Sequence, residues 1–361
     1  MAHGLVEEKV NKIGELRFHH YVAQAEVEQL GQILKDGKRF ILTTHVNPDG
    51  DGLGCEVALY HALKSMGKEV HILNHSPVPS LYQFLNRDGI ILQYDPNSHL
   101  PLIQQADTGF VLDIGEWERL RSVGPDLRRY RPRWLVCIDH HPSCSRISDL
   151  DIIYTQASST GEILFLLFEQ LGIEFTLDIA TALYTAILTD TGGFRFTNTT
   201  VNSHYMAGFL IERGVDHIQI YKDVYENEKP AKIQLLAELL SNMHFECGRQ
   251  VVWYAVTQEM LRRYGLKPED TEGLADFPRR IAGVEVSILF MELEDGATKI
   301  SFRSTGKFVI HHLAQMFNGG GHPYASGAIL RRPLQDVIAQ FRREICKYLE
   351  AERLQMEEKG V

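Results

Sequence analysis

Three short apolar runs in the chain each end in acidic or imidazole side chains. FILTT, at 40–44, leads into His45-Val46-Asn47-Pro48-Asp49-Gly50-Asp51-Gly52; FVLD ends at Asp113; WLVCI ends at Asp139-His140-His141. Asp190 closes a longer apolar run, IATALYTAILTD, just before Thr191-Gly192-Gly193. Carboxylates crowded into one small dry volume resist joint ionisation, so if these groups converge they need added positive charge. Divalent cations are the natural source, and a set of Asp and His without thiolates suits Mn2+ or Mg2+ and disfavours structural zinc. Two such ions about 3.5–4 Å apart, bridged by one carboxylate, would activate a water and clamp a phosphoryl oxygen. The spacing agrees. Pro48 holds the stretch between His45 and Asp49 extended, and Asp49 and Asp51 can present both carboxylates from one tight loop. Gly50, Gly52 and Gly54 allow close backbone approach and unusual φ values there. Taken singly, each fragment has a plainer reading: Asp-Gly-Asp-Gly as a turn, His-His as surface or satisfied core, a strand-end Asp as a helix cap or loop-fixing residue. Their joint occurrence in this order is what points to a metal centre.

A second set lies downstream. Between Ala297 and Arg332 stand five bases (Lys299, Arg303, Lys307, Arg331, Arg332) and no acid. Gly319-Gly320-Gly321 can offer backbone N–H groups to an anion, His322 adds a side-chain donor, and the Arg303 guanidinium is a planar fork suited to a terminal phosphate. Phe302, Phe308 and Tyr324 could stack on a base, with core packing the competing reading for the two phenylalanines. Arg195, in GGFRF after Asp190, is a weaker substrate candidate whose alternative is a surface ion pair.

The elements that must position these groups alternate. From about residue 38 to 158, β-rich runs (FILTT, EVHIL, FVLDI, WLVCIDHH, DIIYT) are separated by helical patterns, which predicts βαβ units and a parallel sheet. In such a sheet the ligand crevice lies beyond the carboxyl ends of the strands, where His45, Asp113 and the Asp139-His140-His141 triplet would meet. Helices dominate from Gly161 to about Leu240. RQVVWYAVT then reads as a strand, VEVSILFMEL and TKISFRS as a hairpin about Glu294-Asp295-Gly296, VIHHLAQMF as a helix, NGGGHPYASG as a loop, GAIL as a strand, and residues from about Leu334 as a long helix. The expected organisation is α/β: a parallel-sheet domain over 1–215, a helical linker over 216–244 and a smaller α/β domain over 245–361.

Composition narrows the partners. With 361 residues, 44% apolar, either domain can bury a full core. The formal charge of -10 disfavours long nucleic acid, duplex included, because neutralising many phosphates needs a surplus of Lys and Arg. Residues 241–361 balance 16 bases against 16 acids, so the whole surplus lies upstream. Five widely spaced cysteines without a CxxC pair read as reduced thiols. No apolar run reaches a membrane span, and the amphipathic, acidic start MAHGLVEEKVNKIGEL is unlike a signal peptide, so a soluble cytoplasmic protein is expected.

HVNPDGDG, Asp113, Asp139-His140-His141 and Asp190 resemble, in order and spacing, the motifs of the DHH phosphoesterase superfamily, and NGGGHPYASGA resembles the signature of its DHHA1 substrate-binding domain. The resemblance spans about residues 38–330, and a chain of this size is similar to the bacterial group that degrades short oligoribonucleotides and dephosphorylates 3′-phosphoadenosine 5′-phosphate (pAp). It implies a parallel-sheet DHH domain joined by a helical linker to a DHHA1 domain, and two divalent ions, Mn2+ ahead of Mg2+. It implies His45 and Asp49 on one ion, Asp51, His140 and Asp190 on the other, Asp113 bridging, Asp139 orienting its neighbours and His141 near the scissile phosphate. Arg303, Gly319, Gly320, Gly321 and His322 would grip a substrate phosphate. The implied substrates are short oligoribonucleotides, dinucleotides such as pGpG and pApA, and pAp, and the resemblance admits a homodimer. A phosphodiesterase devoted to linear or cyclic dinucleotides and a catalytically dead nucleotide-binding module are the alternatives. Gly52 and Cys55 stand where Ala and Ser are frequent in the family, and Cys144-Ser145 where more polar residues occur; none is an expected ligand.

Overall fold

The computed structural model describes residues 20–142 and 148–359, except for the side chains of His322 and 357–359. The acidic amino-terminal stretch and Cys144-Ser145 lie outside the described residues. The chain divides into two compact units, Met1–Asn227 and Glu228–Val361.

The first unit is built on six parallel strands: β1 (Arg39–Thr43), β2 (Glu69–Asn74), β3 (Ile91–Gln93), β4 (Thr108–Leu112), β5 (Trp134–Asp139) and β6 (Leu150–Ile153), in the order β3-β2-β1-β4-β5-β6. Their near-continuous apolar sequences follow from burial on both faces. Phe40, Leu42, Phe110, Leu112, Val136 and Ile138 point into one core. Ile41, Val111, Leu135 and Cys137 point into the other. Helices α1 (Gln24–Asp36) and α2 (Gly50–Ser65) contribute to the first core, α3 (Pro96–Gln105) and α4 (Val123–Arg129) to the second. Helices α5 (Thr160–Gln170), α6 (Leu177–Asp190), α7 (Val201–Glu212) and α8 (His217–Tyr225) complete the unit and pack on the first core. Strand order reverses between β1 and β4, and that switch opens a crevice at their carboxyl ends.

In the second unit a six-stranded mixed sheet runs β11-β12-β10-β9-β8-β7. Its strands are β7 (His244–Glu246), β8 (Val251–Val256), β9 (Val286–Glu292), β10 (Thr298–Ser304), β11 (Gly320–His322) and β12 (Ala325–Leu330). β8 and β9 are parallel; the other pairs are antiparallel. Helix α9 (Pro230–Ser241) packs Leu235, Leu236 and Leu239 with Tyr254, Leu289 and Met291 on one face, where α10 (Gln258–Tyr264) adds Leu261. On the opposite face α11 (His311–Met316) and the long α12 (Leu334–Lys359) join Trp253, Phe290, Phe302 and Phe341.

The stretch 216–244 is helical as expected, α8 packing within the first unit and α9 within the second. Several expectations are corrected here. NGGGHPYASG is a tight hairpin between β11 and β12, with Ile310 N donating to the Pro323 carbonyl at 2.7 Å. Phe302 and Phe308 are fully buried in the second core and cannot stack on a base, whereas Tyr324 is exposed. The cysteines are not all thiols: Cys247, just after β7, and Cys346, on α12, form a disulfide with Cα atoms 5.3 Å apart. Their 99-residue separation leaves no local spacing by which to pair them in sequence. Cys55 and Cys137 are buried. Among the described residues, no helix is long and apolar enough to cross a membrane.

Candidate metal centre

The crevice at the β1/β4 switch collects the sequence-predicted ligands. His45 follows β1, Asp113 follows β4, Asp139 ends β5 with His140 and His141 after it, Asp51 lies in the first turn of α2, and Asp190 is the last residue of α6. His45 Nε2 stands 3.6 Å from Asp113 Oδ2 and 3.7 Å from Asp49 Oδ2. His140 Nε2 stands 3.5 Å from Asp190 Oδ2, 3.7 Å from Asp113 Oδ1 and 3.9 Å from Asp51 Oδ2. Asp113, His140 and His141 form one constellation, and two more, His45-Asp49-Asp113 and Asp51-His140-Asp190, take in every expected ligand; in each the ligand atoms lie within 4.8 Å of one another. Asp113 faces both, Oδ2 towards His45 and Oδ1 towards His140.

The donor set fits divalent cations. Oxygen and nitrogen ligands about 2.1 Å from an octahedral ion stand about 3 Å apart when adjacent and about 4.2 Å apart when opposite, which brackets these separations. Both imidazoles have the ligating tautomer fixed from behind. His45 Nδ1 donates to the Val46 carbonyl at 2.9 Å and His140 Nδ1 to the Ala157 carbonyl at 3.3 Å, which turns each Nε2 towards the carboxylates. The electrostatics call for a cation. Burial works to lower the His45 imidazole, but Asp113 and Asp49 outweigh it and raise it to about 10. Burial, followed by the charges of Asp113 and Asp190, pushes the Asp51 carboxyl well above the usual range. Burial raises Asp190 as well, against the pull of His140.

Backbone geometry aims the ligands. Asp51 is nearly fully buried and accepts from Thr160 N at 2.7 Å and Gly161 N at 2.9 Å, so the N-terminus of α5 holds both oxygens. Asp113 has φ 55°, a left-handed conformation that Asp tolerates better than most residues, and it accepts from Thr160 Oγ1 at 3.1 Å. The unusual φ values expected of the DGDG glycines fall instead on Asn47 and Asp113. The glycines serve close packing. A Cβ on Gly54 would stand 2.4 Å from the Ala182 carbonyl of α6, and one on Gly52 would stand 2.4 Å from Thr44 Oγ1. Cys55 places its thiol, a weak donor, 3.6 Å from Asp51 Oδ1.

Asp139 is fully buried, and both its oxygens are taken up by hydrogen bonds. Its Oδ2 accepts from Ile114 N at 3.0 Å and Gly115 N at 2.7 Å, fixing the loop after Asp113; Oδ1 accepts from His141 N at 2.9 Å and pairs with His141 Nδ1 at 2.8 Å. Burial would lower the His141 imidazole, but the Asp139 bond together with the charges of Asp113, Asp139 and Asp190 outweighs it and raises it to about 9. Three supporting groups escaped the sequence reading. Asn198 Nδ2 bridges the Ser158 and Asp190 carbonyls and reaches Asp190 Oδ2 at 3.3 Å. Asn74 Oδ1 accepts from Thr44 N at 3.1 Å beside His45, and Asn74 Nδ2 donates to the buried Glu56 Oε2 at 2.7 Å. A lone amide or glutamate carries no signal in one sequence.

In the second unit, strand register sets Arg303 of β10 opposite Ala325 of β12, and Ala325 opposite His322 of β11. The His322 side chain lies outside the described residues. Gly321 has φ 137°, and a Cβ on Gly319 would stand 2.1 Å from the Gly327 carbonyl, so no other residue fits that edge unchanged. Gly320, by contrast, has open space where a Cβ would go. Arg303 Nη1 donates to the Phe302 carbonyl at 2.9 Å. Lys299, Arg331 and Arg332 are exposed, Arg332 donating to Gln340, and Lys307 pairs with Glu285 at 3.6 Å. In the first unit, Arg195 lies over the Phe196 ring, 5.4 Å from its centroid, in place of the surface ion pair weighed for it.

Residues 39–187 match the DHH family, N-terminal domain, and residues 248–351 match the DHHA1 domain. The bifunctional oligoribonuclease and PAP phosphatase NrnA of Thermus thermophilus is 33% identical over 80% of this chain and 83% of its own length. The Bacillus subtilis protein of the same name is 30% identical over 80% and 88%. Among solved structures, an exopolyphosphatase-related protein from Bacteroides fragilis superposes with a TM-score of 0.89 at 28% identity, covering 93% of this chain and all of that one.

Proposed function

The chain belongs to the DHH family of metal-dependent phosphoesterases and carries a DHHA1 domain; from that premise we propose that it hydrolyses short oligoribonucleotides, dinucleotides such as pGpG and pApA included, to mononucleotides and removes the 3′-phosphate of pAp. The observation that carries this reading is the pair of Asp/His constellations sharing Asp113, one carboxylate oxygen to each. His45, Asp49 and Asp113 would hold one ion, and Asp51, His140, Asp190 and Asp113 the other. When bound, the two ions would lower the pKa of an attacking water and neutralise charge on the phosphoryl oxygens. We assign Mn2+ ahead of Mg2+ because imidazole donors suit it better.

The protein's own part is positional. His141, held through Nδ1 by Asp139, directs Nε2 away from that carboxylate as a donor for a phosphoryl oxygen as negative charge grows on it. Asp139 keeps that ring and the loop after Asp113 in register. Arg303 and the Gly319-Gly320-Gly321-His322 edge supply the hold on a substrate phosphate, a capture suited to molecules of a few nucleotides. Such substrates belong to the cytoplasm, where the Cys247–Cys346 pair would meet a reducing environment.

The test is a panel of pGpG, pApA, a five-nucleotide RNA, cyclic di-AMP and pAp, with Mn2+ and Mg2+ run in parallel. Turnover of the linear RNAs and of pAp is expected. Activity confined to dinucleotides, or absent towards pAp, would overturn the bifunctional assignment. Asp51→Ala and His140→Ala should each lower Mn2+-dependent hydrolysis at least about a hundredfold without loss of secondary structure; substantial residual turnover in either would sink the two-ion assignment.

A further inference from the structure

Arg303 is not free to roam, and what restrains it identifies another participant. Its Nε lies 3.4 Å from Asp276 Oδ2, while Nη1 is turned back onto the Phe302 carbonyl. Asp276 sits in the 3-10 turn Leu274–Arg280, whose Leu274, Ala275 and Pro278 are buried against the sheet. The same carboxylate accepts through Oδ1 from Arg279 Nη2, and Arg279 Nη1 donates to the Ser304 carbonyl at 2.9 Å, one residue beyond Arg303. One carboxylate thus ties two guanidiniums to the end of β10. With a single negative charge between two positive ones, the cluster keeps a net positive charge, and among the described residues Arg303 Nη2 makes no hydrogen bond. Beside it the next strand offers only the Ala325 methyl and then Gly327, followed by the glycine edge.

We propose that Asp276 is a positioning residue for substrate capture: anchored by Arg279, it holds the Arg303 guanidinium in the orientation that takes a terminal phosphate. This rests on the reading of Arg303 as a phosphate grip. An unrestrained arginine carries considerable rotamer entropy, part of which must be given up when it binds. Fixing the guanidinium in the free protein removes that share and favours a phosphate monoester that approaches Nη2. Asp276 therefore raises affinity although it repels the ligand's charge, and its influence falls on binding, not on the chemical step.

The experiment compares wild type, Asp276→Asn, Asp276→Ala, Arg303→Ala and the Asp276→Ala/Arg303→Ala double variant on pApA and on ApA, which lacks the terminal phosphate, with Mn2+. Asp276→Ala should raise KM for pApA roughly three- to tenfold, a range that allows for the partial exposure of the pair. Asp276→Asn, which keeps the acceptor, should fall between it and wild type, and KM for ApA should move less than twofold, about the scatter of such assays. In the double variant KM should match that of Arg303→Ala alone, since Asp276 would then have nothing to position. KM does not depend on the fraction of folded enzyme, so a variant that is partly unfolded still reports. An unchanged KM in Asp276→Ala, or an effect that adds in full to that of Arg303→Ala, would overturn the inference. An unchanged KM in Arg303→Ala would instead overturn the grip on which it rests.

Discussion

Asp113 is the residue on which the candidate site turns. Its two oxygens face different constellations, its backbone is held left-handed, and the loop behind it is pinned by Asp139. Removing the Asp139 charge should therefore be felt at both His141 and Asp113. Asp139→Asn is expected to lower kcat about 10- to 100-fold, the usual penalty for disturbing a group that orients metal ligands, and calorimetric Mn2+ titration should show weakened binding; a variant with wild-type kcat would deny Asp139 this role. Glu56 yields a prediction about stability. It is fully buried, its Oε1 has no hydrogen-bond partner among the described residues, and burial, only partly offset by the Asn74 bond, raises its carboxyl from 4.5 to about 8. Between those two values the unfolded chain has released this proton and the folded chain still holds it. Stability should therefore fall as pH rises from about 4.5 to about 8, by on the order of a few kcal/mol from this group. Urea melts of the EDTA-treated protein at pH 5.5 and 8 should show this slope, and Glu56→Gln should flatten it and be the more stable protein at pH 8.

At the scale of elements, α2 and α6 must lie close together because one carries Asp51 in its first turn and the other ends with Asp190. Gly54 permits that approach. Gly54→Ala would drive a methyl into the Ala182 carbonyl and should cost about 1–3 kcal/mol while weakening Mn2+ binding. Gly208, in α7, has open space where a Cβ would go, so Gly208→Ala should stabilise by about 0.5–1 kcal/mol and leave metal binding alone; equal effects of the two variants in thermal melts would refute the packing account. The elements also explain what could be read in advance. β1, β4 and β5 were legible because strands covered on both faces are apolar without interruption, and the ligands stand at their ends. β3 was not, since three residues, Ile91–Gln93, carry too little pattern and owe their conformation to pairing with β2. β11 was hidden in a glycine run because its strand form comes from pairing with β12. Asn198, Asn74 and Glu56 were hidden because each acts through a partner far away in sequence, and the same holds for Asp276.

At the scale of the whole molecule, the charge of -10 has a local source. Asp49, Asp51, Asp113 and Asp190 all lie in the first unit, and two divalent ions would cancel their four charges, leaving the loaded chain at -6. Binding energy should accordingly be felt where the ligands are. At Mn2+ a hundredfold above Kd, linkage adds about 2.7 kcal/mol per site, and hydrogen exchange on the full chain should slow at Phe40–Leu42 and Phe110–Leu112 but not at Val286–Phe290. Equal slowing in both stretches would mean that the units unfold as one. The second unit has its own constraint. The Cys247–Cys346 bond joins its first strands to its last helix and encloses the exposed hairpin turn Glu294-Asp295-Gly296. While that bond is intact this part of the chain is a covalent ring, and a ring cut once is still one piece. A protease that cleaves only at the turn should leave a protein that runs at full mass on a denaturing gel and separates into two fragments when a thiol is added.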